Sequence, residues 1–162
     1  MDNTASQIIQ TFGNKLRIRC SGLLVQNDRI LLVKHQYLGG GQNYLWAPPG
    51  GGVEFGDTIQ ESLYREFLEE TGLVIQIKHF SFVNEFLDPP LHAIELFFVV
   101  EQQGGILQTG YDPEMSEDQQ IISEIAFWSI DELKQEPQVN LHQCLHNCTT
   151  WEELLSLQSY LK

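Results

Sequence analysis

The feature that most constrains this chain is a run of three glycines followed at once by a strong helix signal, within residues 49–74. Consecutive glycines let the backbone approach a ligand closely, because no Cβ stands in the way. Thr58 followed three residues later by Glu61 matches a capping box and predicts a helix that begins near Ile59. Gly72 matches the left-handed residue that ends a helix. The sequence therefore predicts a glycine loop, one helix and a second turn, in that order.

One face of the predicted helix carries three glutamates, Glu66, Glu69 and Glu70, at spacings i, i+3 and i+4. Like charges at this spacing destabilise a helix by roughly 0.2–0.5 kcal/mol per pair, so their placement needs a cause. Carboxylate oxygens beside a glycine turn suit a hard cation such as Mg²⁺ or Mn²⁺. Arg65 is spaced to contact Glu61 and Glu69 and so to aim the carboxylates. For the glutamates alone, a solvated acidic face is the alternative.

Together these residues closely resemble the Nudix box, the signature of hydrolases that act on a nucleoside diphosphate linked to another moiety. The family pattern is G-x5-E-x7-R-E-U-x-E-E-x-G-U, where U is a bulky apolar residue, and it aligns with residues 51–73. The matching positions are Gly51, Arg65, Glu66, Phe67, Glu69, Glu70, Gly72 and Leu73. Asp57 stands where the pattern has its first glutamate, so the role of this position stays open.

The resemblance implies a pyrophosphohydrolase, a hydrolase acting on acid anhydrides, that depends on Mg²⁺ or Mn²⁺. It implies that the metal ligands are the carboxylates of Glu66, Glu69 and Glu70 and the backbone carbonyl of Gly50. Glu66, Glu69 and Arg65 are the expected catalytic residues, with Arg65 orienting carboxylates. The general base is left open between Glu66, Glu69 and an acidic residue of a later loop. The later candidates are Glu114, Glu117, Asp118 and Glu124.

The charge balance narrows the class of substrate. The formal net charge is -13, with only 9 Lys and Arg residues and no basic run. Duplex nucleic acid is bound through Lys and Arg at its phosphates, so this chain is not expected to bind it. A small nucleotide whose phosphates are screened by a metal ion fits better. The resemblance suggests a nucleotide sugar, an ADP-ribose-like molecule or a nucleoside triphosphate.

Residues outside the box are expected to select the substrate. Arg19 and Lys34 are candidates for phosphate contacts, Trp46 for stacking on a base, and Glu117 and Glu124 for contacts from later in the chain. The alternative for each charged residue is a solvated surface position, and for Trp46 it is core packing.

Hydrophobic patterning predicts a mixed α+β domain in which helices cover a sheet. The predicted strands span residues 16–26, 29–35, 74–83, 92–100 and 124–129, and helices begin at Ile130 and Trp151, the latter reaching Tyr160. The resemblance covers about residues 15–135 and implies an α/β/α sandwich with a mixed, curled sheet. We expect residues 1–162 to form a single domain, with residues 136–162 as a C-terminal helical extension.

The sequence also predicts the compartment of the protein. No stretch approaches the roughly 20 apolar residues of a membrane span, and the N-terminus has no signal-peptide pattern. Three cysteines are an odd number, which argues against a disulfide framework. We therefore expect a cytoplasmic protein without a membrane partner. A homodimer is left open, because many members of the resembled family dimerise.

Two alternatives compete with the enzyme hypothesis. A Nudix-like sensor that binds nucleotide without hydrolysing it is the main one, although the intact Arg-Glu and Glu-Glu pairs favour an enzyme. The other is a purely structural acidic module, which leaves the glycine run unexplained. A separate question is whether His142, Cys144, His146 and Cys148, which are all zinc-type ligands, bind zinc. Zinc sites usually join a close pair to a distant pair, and residues two apart point to different sides of a helix. This pattern favours a buried helix with incidental thiols.

Overall fold

The computed structural model describes residues 9–36, 44–110 and 121–161. The strands are β1 (Lys15–Leu23), β2 (Val25–Gln26), β3 (Arg29–Gln36), β4 (Tyr44–Ala47), β5 (Gly50–Gly52), β6 (Leu73–Asp88), β7 (Leu91–Gly105), β8 (Ile122–Trp128) and β9 (Tyr160–Leu161). The helices are α1 (Ile59–Thr71), α2 (Ile130–Gln135) and α3 (Trp151–Leu155). Two 3₁₀ helices, Gln138–Asn140 and Gln143–Leu145, lie between α2 and α3. None of the helices in the described part of the chain is long and apolar enough to cross a membrane.

The strands form two sheets. The larger sheet has the order β5–β1–β7–β6–β9, in which β1 runs parallel to β7 and β7 runs antiparallel to β6. The smaller sheet is built on β3, which pairs antiparallel with β2, β4 and β8. The register between β6 and β7 shifts at three places, and such bulges bend a strand. This mixed, curled arrangement confirms the predicted fold class.

Hydrophobic side chains point to both sides of the strands and form two clusters. On one side Leu31 of β3 packs in a cluster with Leu63 and Phe67 of α1. On the other side its neighbours Ile30 and Leu32 pack in a cluster with residues of the C-terminal segment. That segment contributes Leu133, Leu141, Cys144, Leu145, Trp151 and Leu154. Residues 133–154 are therefore part of the core, and helices cover the sheets on both sides.

Helix α1 begins and ends where the sequence predicts. The Thr58 hydroxyl accepts a hydrogen bond from the Glu61 backbone N–H, and the Glu61 side chain returns to the Thr58 N–H. Gly72 has a φ of 71°, and its N–H donates to the Leu68 carbonyl. Phe67 of this helix packs so closely on Gly22 of β1 that any Cβ at Gly22 would overlap its ring. These contacts fix α1 against the larger sheet.

Several predicted boundaries are wrong because pairing between strands extends beyond the local pattern. Strands β6 and β7 form one long hairpin that reaches Gly105, beyond the predicted strand ends at residues 83 and 100. The glycines 50–52 form β5 rather than a loop, since they pair with β1. The last helix ends at Leu155, and Tyr160 belongs to β9. Segment 136–161 is thus built mainly from 3₁₀ turns, α3 and β9.

Candidate active site

The glycine strand β5 is held against both β1 and α1. The Gly50 N–H donates a hydrogen bond of 2.8 Å to Oε2 of Glu70, which is 6% exposed. Gly50 and Gly51 pair with Ser21 and Cys20 of β1. A Cβ on Gly50 would overlap the Cys20 carbonyl oxygen, and Gly50 has a φ of 155°. Glycine is therefore required at this position by both space and backbone conformation.

Gly51 makes room for the carboxylate of Glu66. A Cβ built on Gly51 would overlap the Glu66 carboxyl carbon and oxygens, so this carboxylate lies directly against the backbone of β5. Glu66 and Glu69 are both half-buried, whereas Glu70 is buried. The box thus brings a glutamate to each of two neighbouring glycines, Glu66 to Gly51 and Glu70 to Gly50.

The donor chemistry of this region fits a hard divalent cation. The predicted ligands are all oxygens, from carboxylates and the Gly50 carbonyl. Among the residues that the structure describes, no three His, Cys, Asp or Glu side chains are gathered into a ready-made metal site. Mg²⁺ is commonly bound by one or two carboxylates, with waters and substrate phosphates as its other ligands. The arrangement is therefore compatible with a metal that shares its ligands with the substrate.

Arg65 is held by acidic residues of the turn that precedes α1. Its Nη1 pairs with Asp57, and its Nη2 lies 3.4 Å from Glu54 Oε1 and 3.7 Å from Glu66 Oε1. Glu61, a predicted partner, closes the capping box with Thr58 instead. Arg65 therefore connects Glu66 to the turn, and Asp57 anchors Arg65.

His35 of β3 lies beside Glu70 and was missed by the sequence analysis. Its Nε2 is 3.9 Å from Glu70 Oε1. Burial, together with the nearby positive charges of Arg19 and His142, lowers the pKa of His35 to about 4. The imidazole is therefore neutral at pH 7. The sequence gives little sign of this role: His35 simply follows an apolar run, residues 30–33, and Lys34.

Three predicted substrate residues lie together on the smaller sheet. Lys34 Nζ pairs with Glu124 Oε2 at 3.3 Å and lies over the rings of Tyr44 and Trp46, at 4.4 and 5.4 Å from their centroids. Trp46 is 3% exposed and packs edge-on against Trp128, so its ring is a core element in this structure rather than an open stacking surface. Glu124 has a half-exposed side chain. Of the three, Lys34 and Glu124 keep a position from which they can reach a ligand.

Arg19, the fourth predicted substrate residue, lies at the glycine strand. Its Nη2 donates to the Gly50 carbonyl at 3.5 Å, and its Nε is 3.5 Å from Glu95 Oε1. Glu95 was not singled out from the sequence, although it is the one acid within the apolar run of residues 93–100. A charged residue in such a run is usually buried and paired. The remaining acidic candidates, Glu114, Glu117 and Asp118, lie outside the described residues.

The four zinc-type residues do not form a metal site. His142 Nε2 donates to Glu95 Oε2 at 2.9 Å, and His146 Nε2 lies 2.8 Å from the Gln138 carbonyl oxygen. Cys148 Sγ donates to the Thr150 carbonyl at 3.3 Å, and Cys144 is buried in the core. The side chains are thus directed to separate partners, although in 3₁₀ turns rather than the expected helix.

Comparisons with known proteins identify the family that this chain resembles. The model of the NUDIX domain family matches residues 15–146. An ADP-ribose pyrophosphatase of Methanocaldococcus jannaschii is 33% identical over 105 residues, which are 62% of this chain and 59% of that protein. The NAD-capped RNA hydrolase NudC of Yersinia enterocolitica is 35% identical over 89 residues, 55% of this chain and 31% of that protein. This chain thus spans less than two thirds of the length of either relative.

A solved structure shows the same fold. The MutT NUDIX hydrolase from Burkholderia pseudomallei superposes with a TM-score of 0.64 at 20% sequence identity. The superposition covers 89% of this chain and 99% of that one. The family model matches most of the chain. The chain therefore belongs to the NUDIX domain family.

Proposed function

We propose that this chain hydrolyses a pyrophosphate bond in a nucleoside diphosphate linked to another moiety, with Mg²⁺ or Mn²⁺ as cofactor. The observation that carries the proposal is the pairing of glutamates with glycines: Glu66 lies against Gly51, and Glu70 accepts the Gly50 N–H. A structural helix has no need to place two carboxylates against a glycine strand. A metal-dependent phosphate site does, because carboxylate and carbonyl oxygens are the ligands that a hard divalent cation takes.

The proposed metal ligands are Glu66, Glu69, Glu70 and the carbonyl of Gly50. A bound divalent ion would neutralise charge on the phosphate oxygens and lower the pKa of a nearby water. Arg65 holds Glu66 in place through its contacts with Asp57 and Glu54. Glu70 fixes the backbone of β5 through the Gly50 N–H.

In the proposed reaction a water attacks one phosphorus and a phosphate-bearing group leaves. The proposed general base is Glu66, which lies against Gly51, or Glu69, which lies three residues further along α1. Glu124 is the weaker candidate, since its carboxylate pairs with Lys34. Arg19 beside Gly50, and Lys34 further out, are suited to bind phosphate oxygens. Stabilising charge on these oxygens is the main source of catalysis in phosphoryl transfer.

ADP-ribose is the first substrate to test. Two relatives carry the names ADP-ribose pyrophosphatase and NAD-capped RNA hydrolase, and both ADP-ribose and NAD contain a diphosphate next to adenosine. The net charge of -13 disfavours long nucleic acid and favours a small molecule that brings a metal ion with it.

We also propose that residues 1–162 work as one domain in the cytoplasm. Support for one domain comes from the C-terminal segment, whose Trp151 and Leu154 pack in the same cluster as Phe97 of the large sheet. Support for a reducing compartment comes from the free thiols of Cys20, Cys144 and Cys148. The homodimer stays a prediction, which size-exclusion chromatography with light scattering would test.

The function is tested by incubating the protein with Mg²⁺ and a panel of ADP-ribose, nucleotide sugars, dinucleotides and nucleoside triphosphates. Chromatography of the products should show that one class is cleaved at its pyrophosphate. Removal of the metal with a chelator should stop the reaction. Nucleotide binding without any cleavage would contradict the enzyme and support the sensor alternative.

Variants of α1 test the assigned residues. Glu66→Gln and Glu69→Gln should each lower kcat about 100-fold or more, because an amide is a poor ligand for a hard cation. Glu101→Gln is the matched control, since Glu101 pairs with Lys78 on the exposed surface. Unchanged thermal unfolding in all three variants would show that the loss is chemical. Full activity of both Glu66→Gln and Glu69→Gln would refute the metal assignment.

A further inference from the structure

A row of polar residues crosses the larger sheet next to the glycine strand. Asn84 of β6 lies opposite Glu95 of β7, and Glu95 lies opposite Arg19 of β1. Arg19 in turn lies opposite Gly52 of β5. Residues directly opposite each other on paired strands project to the same face of the sheet. The row therefore runs from the middle of the sheet to the proposed active site.

Glu95 is the centre of this row and is 8% exposed. Its Oε2 accepts hydrogen bonds from Asn84 Nδ2 at 2.8 Å and from His142 Nε2 at 2.9 Å, and Oε1 pairs with Arg19 Nε at 3.5 Å. Burial raises the pKa of Glu95, but the contacts with His142, Arg19 and Asn84 outweigh it and lower the pKa to about 2. Glu95 is therefore an anion at neutral pH, with two hydrogen-bond donors at Oε2 and the Arg19 guanidinium beside Oε1.

The guanidinium of Arg19 joins this buried anion to the glycine strand. While Nε faces Glu95, Nη2 donates to the Gly50 carbonyl at 3.5 Å. Gly50 is also held at its amide, because Glu70 accepts a hydrogen bond from the Gly50 N–H at 2.8 Å. Gly50 is thus held at its amide by the box helix and at its carbonyl by a residue outside the box. The longer contact is the one at the carbonyl, and its geometry depends on where Glu95 holds Arg19.

We propose that Glu95 is a positioning residue of the active site: it holds Arg19 in the orientation that places the guanidinium at the Gly50 carbonyl, and His142 of the C-terminal segment fixes Glu95 for this task. The proposal rests on the proposed function, because it concerns the Gly50 carbonyl and the phosphate side of Arg19. Stability alone does not explain the arrangement, since a buried ion pair is often no more stabilising than apolar residues of the same volume. The row ends at the glycine strand, β5, which a purely structural ion pair has no reason to reach.

A double-mutant cycle tests whether Glu95 acts through Arg19. Glu95→Gln keeps the shape of the side chain and removes its charge, and we expect kcat/KM to fall about ten- to hundredfold, as for other partners that orient groups at a metal site. Arg19→Ala should lower kcat/KM by at least as much. In the Arg19→Ala background, Glu95→Gln should change kcat/KM by less than about a further twofold. The reason is that Glu95 affects activity only through Arg19, which is absent in this background. Independent, additive losses would overturn the proposal.

Two further variants separate positioning from folding. Glu85→Gln is the matched control, because Glu85 lies on β6 with a histidine partner, His92 Nε2 at 2.9 Å, and two strands, β7 and β1, separate β6 from the glycine strand. It should leave kcat and KM unchanged. His142→Gln should keep an N–H near Glu95 and retain most activity, whereas His142→Phe should reproduce the loss in Glu95→Gln. Equal activity in the Gln and Phe variants would contradict the role of His142.

A readout without metal or turnover keeps this test separate from that of the proposed function. The Arg19 Nε–H should give a resolved, slowly exchanging NMR signal in the wild-type protein with chelator, and Glu95→Gln should remove it. If no substrate is cleaved but the signal behaves this way, the proposed function fails and the Arg19–Glu95 contact stands. If the wild type is active but Glu95→Gln keeps full kcat/KM, the proposed function stands and the positioning role is refuted.

Discussion

Two clusters contact the glycine strand, and each of them pairs basic with acidic side chains. They are built in different ways. The Arg65 cluster consists of Glu54, Asp57, Arg65 and Glu66, and Asp57 is only eight residues from Arg65. The Glu95 cluster consists of Arg19, Asn84, Glu95 and His142, and His142 is 47 residues from Glu95. The side chains of Arg65 and Glu54 are 29% and 59% exposed, whereas the side chains of Glu95 and His142 are only 10% and 13% exposed.

This difference teaches what each cluster can contribute. Exposed ion pairs are worth about 0–1 kcal/mol, so the Arg65 cluster serves mainly to direct Glu66. A buried charge is tolerated only when its partners are complete, so every member of the Glu95 cluster matters for stability as well as for Arg19. The comparison predicts that the same kind of substitution has a large effect on folding in one cluster and a small one in the other.

The largest expected effect is the loss of stability in Glu95→Ala. The substitution leaves Arg19 and His142 beside a cavity without their anion, which typically costs about 3–5 kcal/mol. Urea unfolding of the variant and the wild type measures the difference. Glu85→Ala should cost less, about 1 kcal/mol, because its partner His92 is 35% exposed and can be hydrated when the carboxylate is lost. Equal losses in the two variants would show that the Glu95 cluster is not special.

Acid should weaken the Glu95 cluster, because Glu95 holds its partners as an anion. The pKa of Glu95 is about 2 in the folded chain against 4.5 for the ordinary group, so its contribution is present above pH 4.5 and is lost as the pH falls toward 2. At about 1.4 kcal/mol per pKa unit, the contribution is about 3 kcal/mol. The gap in unfolding free energy between wild type and Glu95→Gln should therefore shrink between about pH 5 and pH 3. A gap that stays constant over this range would disprove the low pKa.

A smaller effect is expected where the Arg65 cluster meets the glycine strand. In Gly51→Ala the new Cβ would overlap the Glu66 carboxylate, which can swing away at little cost to folding. We expect kcat to fall about ten- to hundredfold while the unfolding midpoint barely changes. Gly52→Ala is the control, because the nearest atom to its Cβ is Arg17 Nη2 at 3.9 Å. If both alanine variants keep wild-type kcat, Glu66 does not depend on Gly51.

The smallest effect is expected for the anchor of Arg65. Asp57→Asn weakens an ion pair that is about one third exposed, so stability should change by less than about 1 kcal/mol. Because Glu54 still holds Arg65, kcat should fall only a few-fold, about the effect of one exposed contact. Thermal unfolding and steady-state kinetics measure the two values. A loss of stability as large as that in Glu95→Ala would erase the distinction between the clusters.

The sequence by itself determined the features that depend on neighbours within one or two helical turns. The bounds of α1, its capping box at Thr58 and its end at Gly72 follow from hydrogen bonds between residues three or four apart. The family followed from the spacing of the box, because that spacing places Glu66 and Glu70 on the side of α1 that faces the glycines. Local chemistry was sufficient for these predictions.

Only the tertiary structure decided which distant residues join the site. The register of β1, β7 and β6 brings Arg19, Glu95 and Asn84 into one row, and no local pattern encodes a pairing between strands so far apart in the chain. Long-range packing also buried Trp46 in the core. Glu95 was not singled out from the sequence, although a charge in the middle of an apolar strand is usually buried and paired. Which residues would pair with it depended on how the sheet closed.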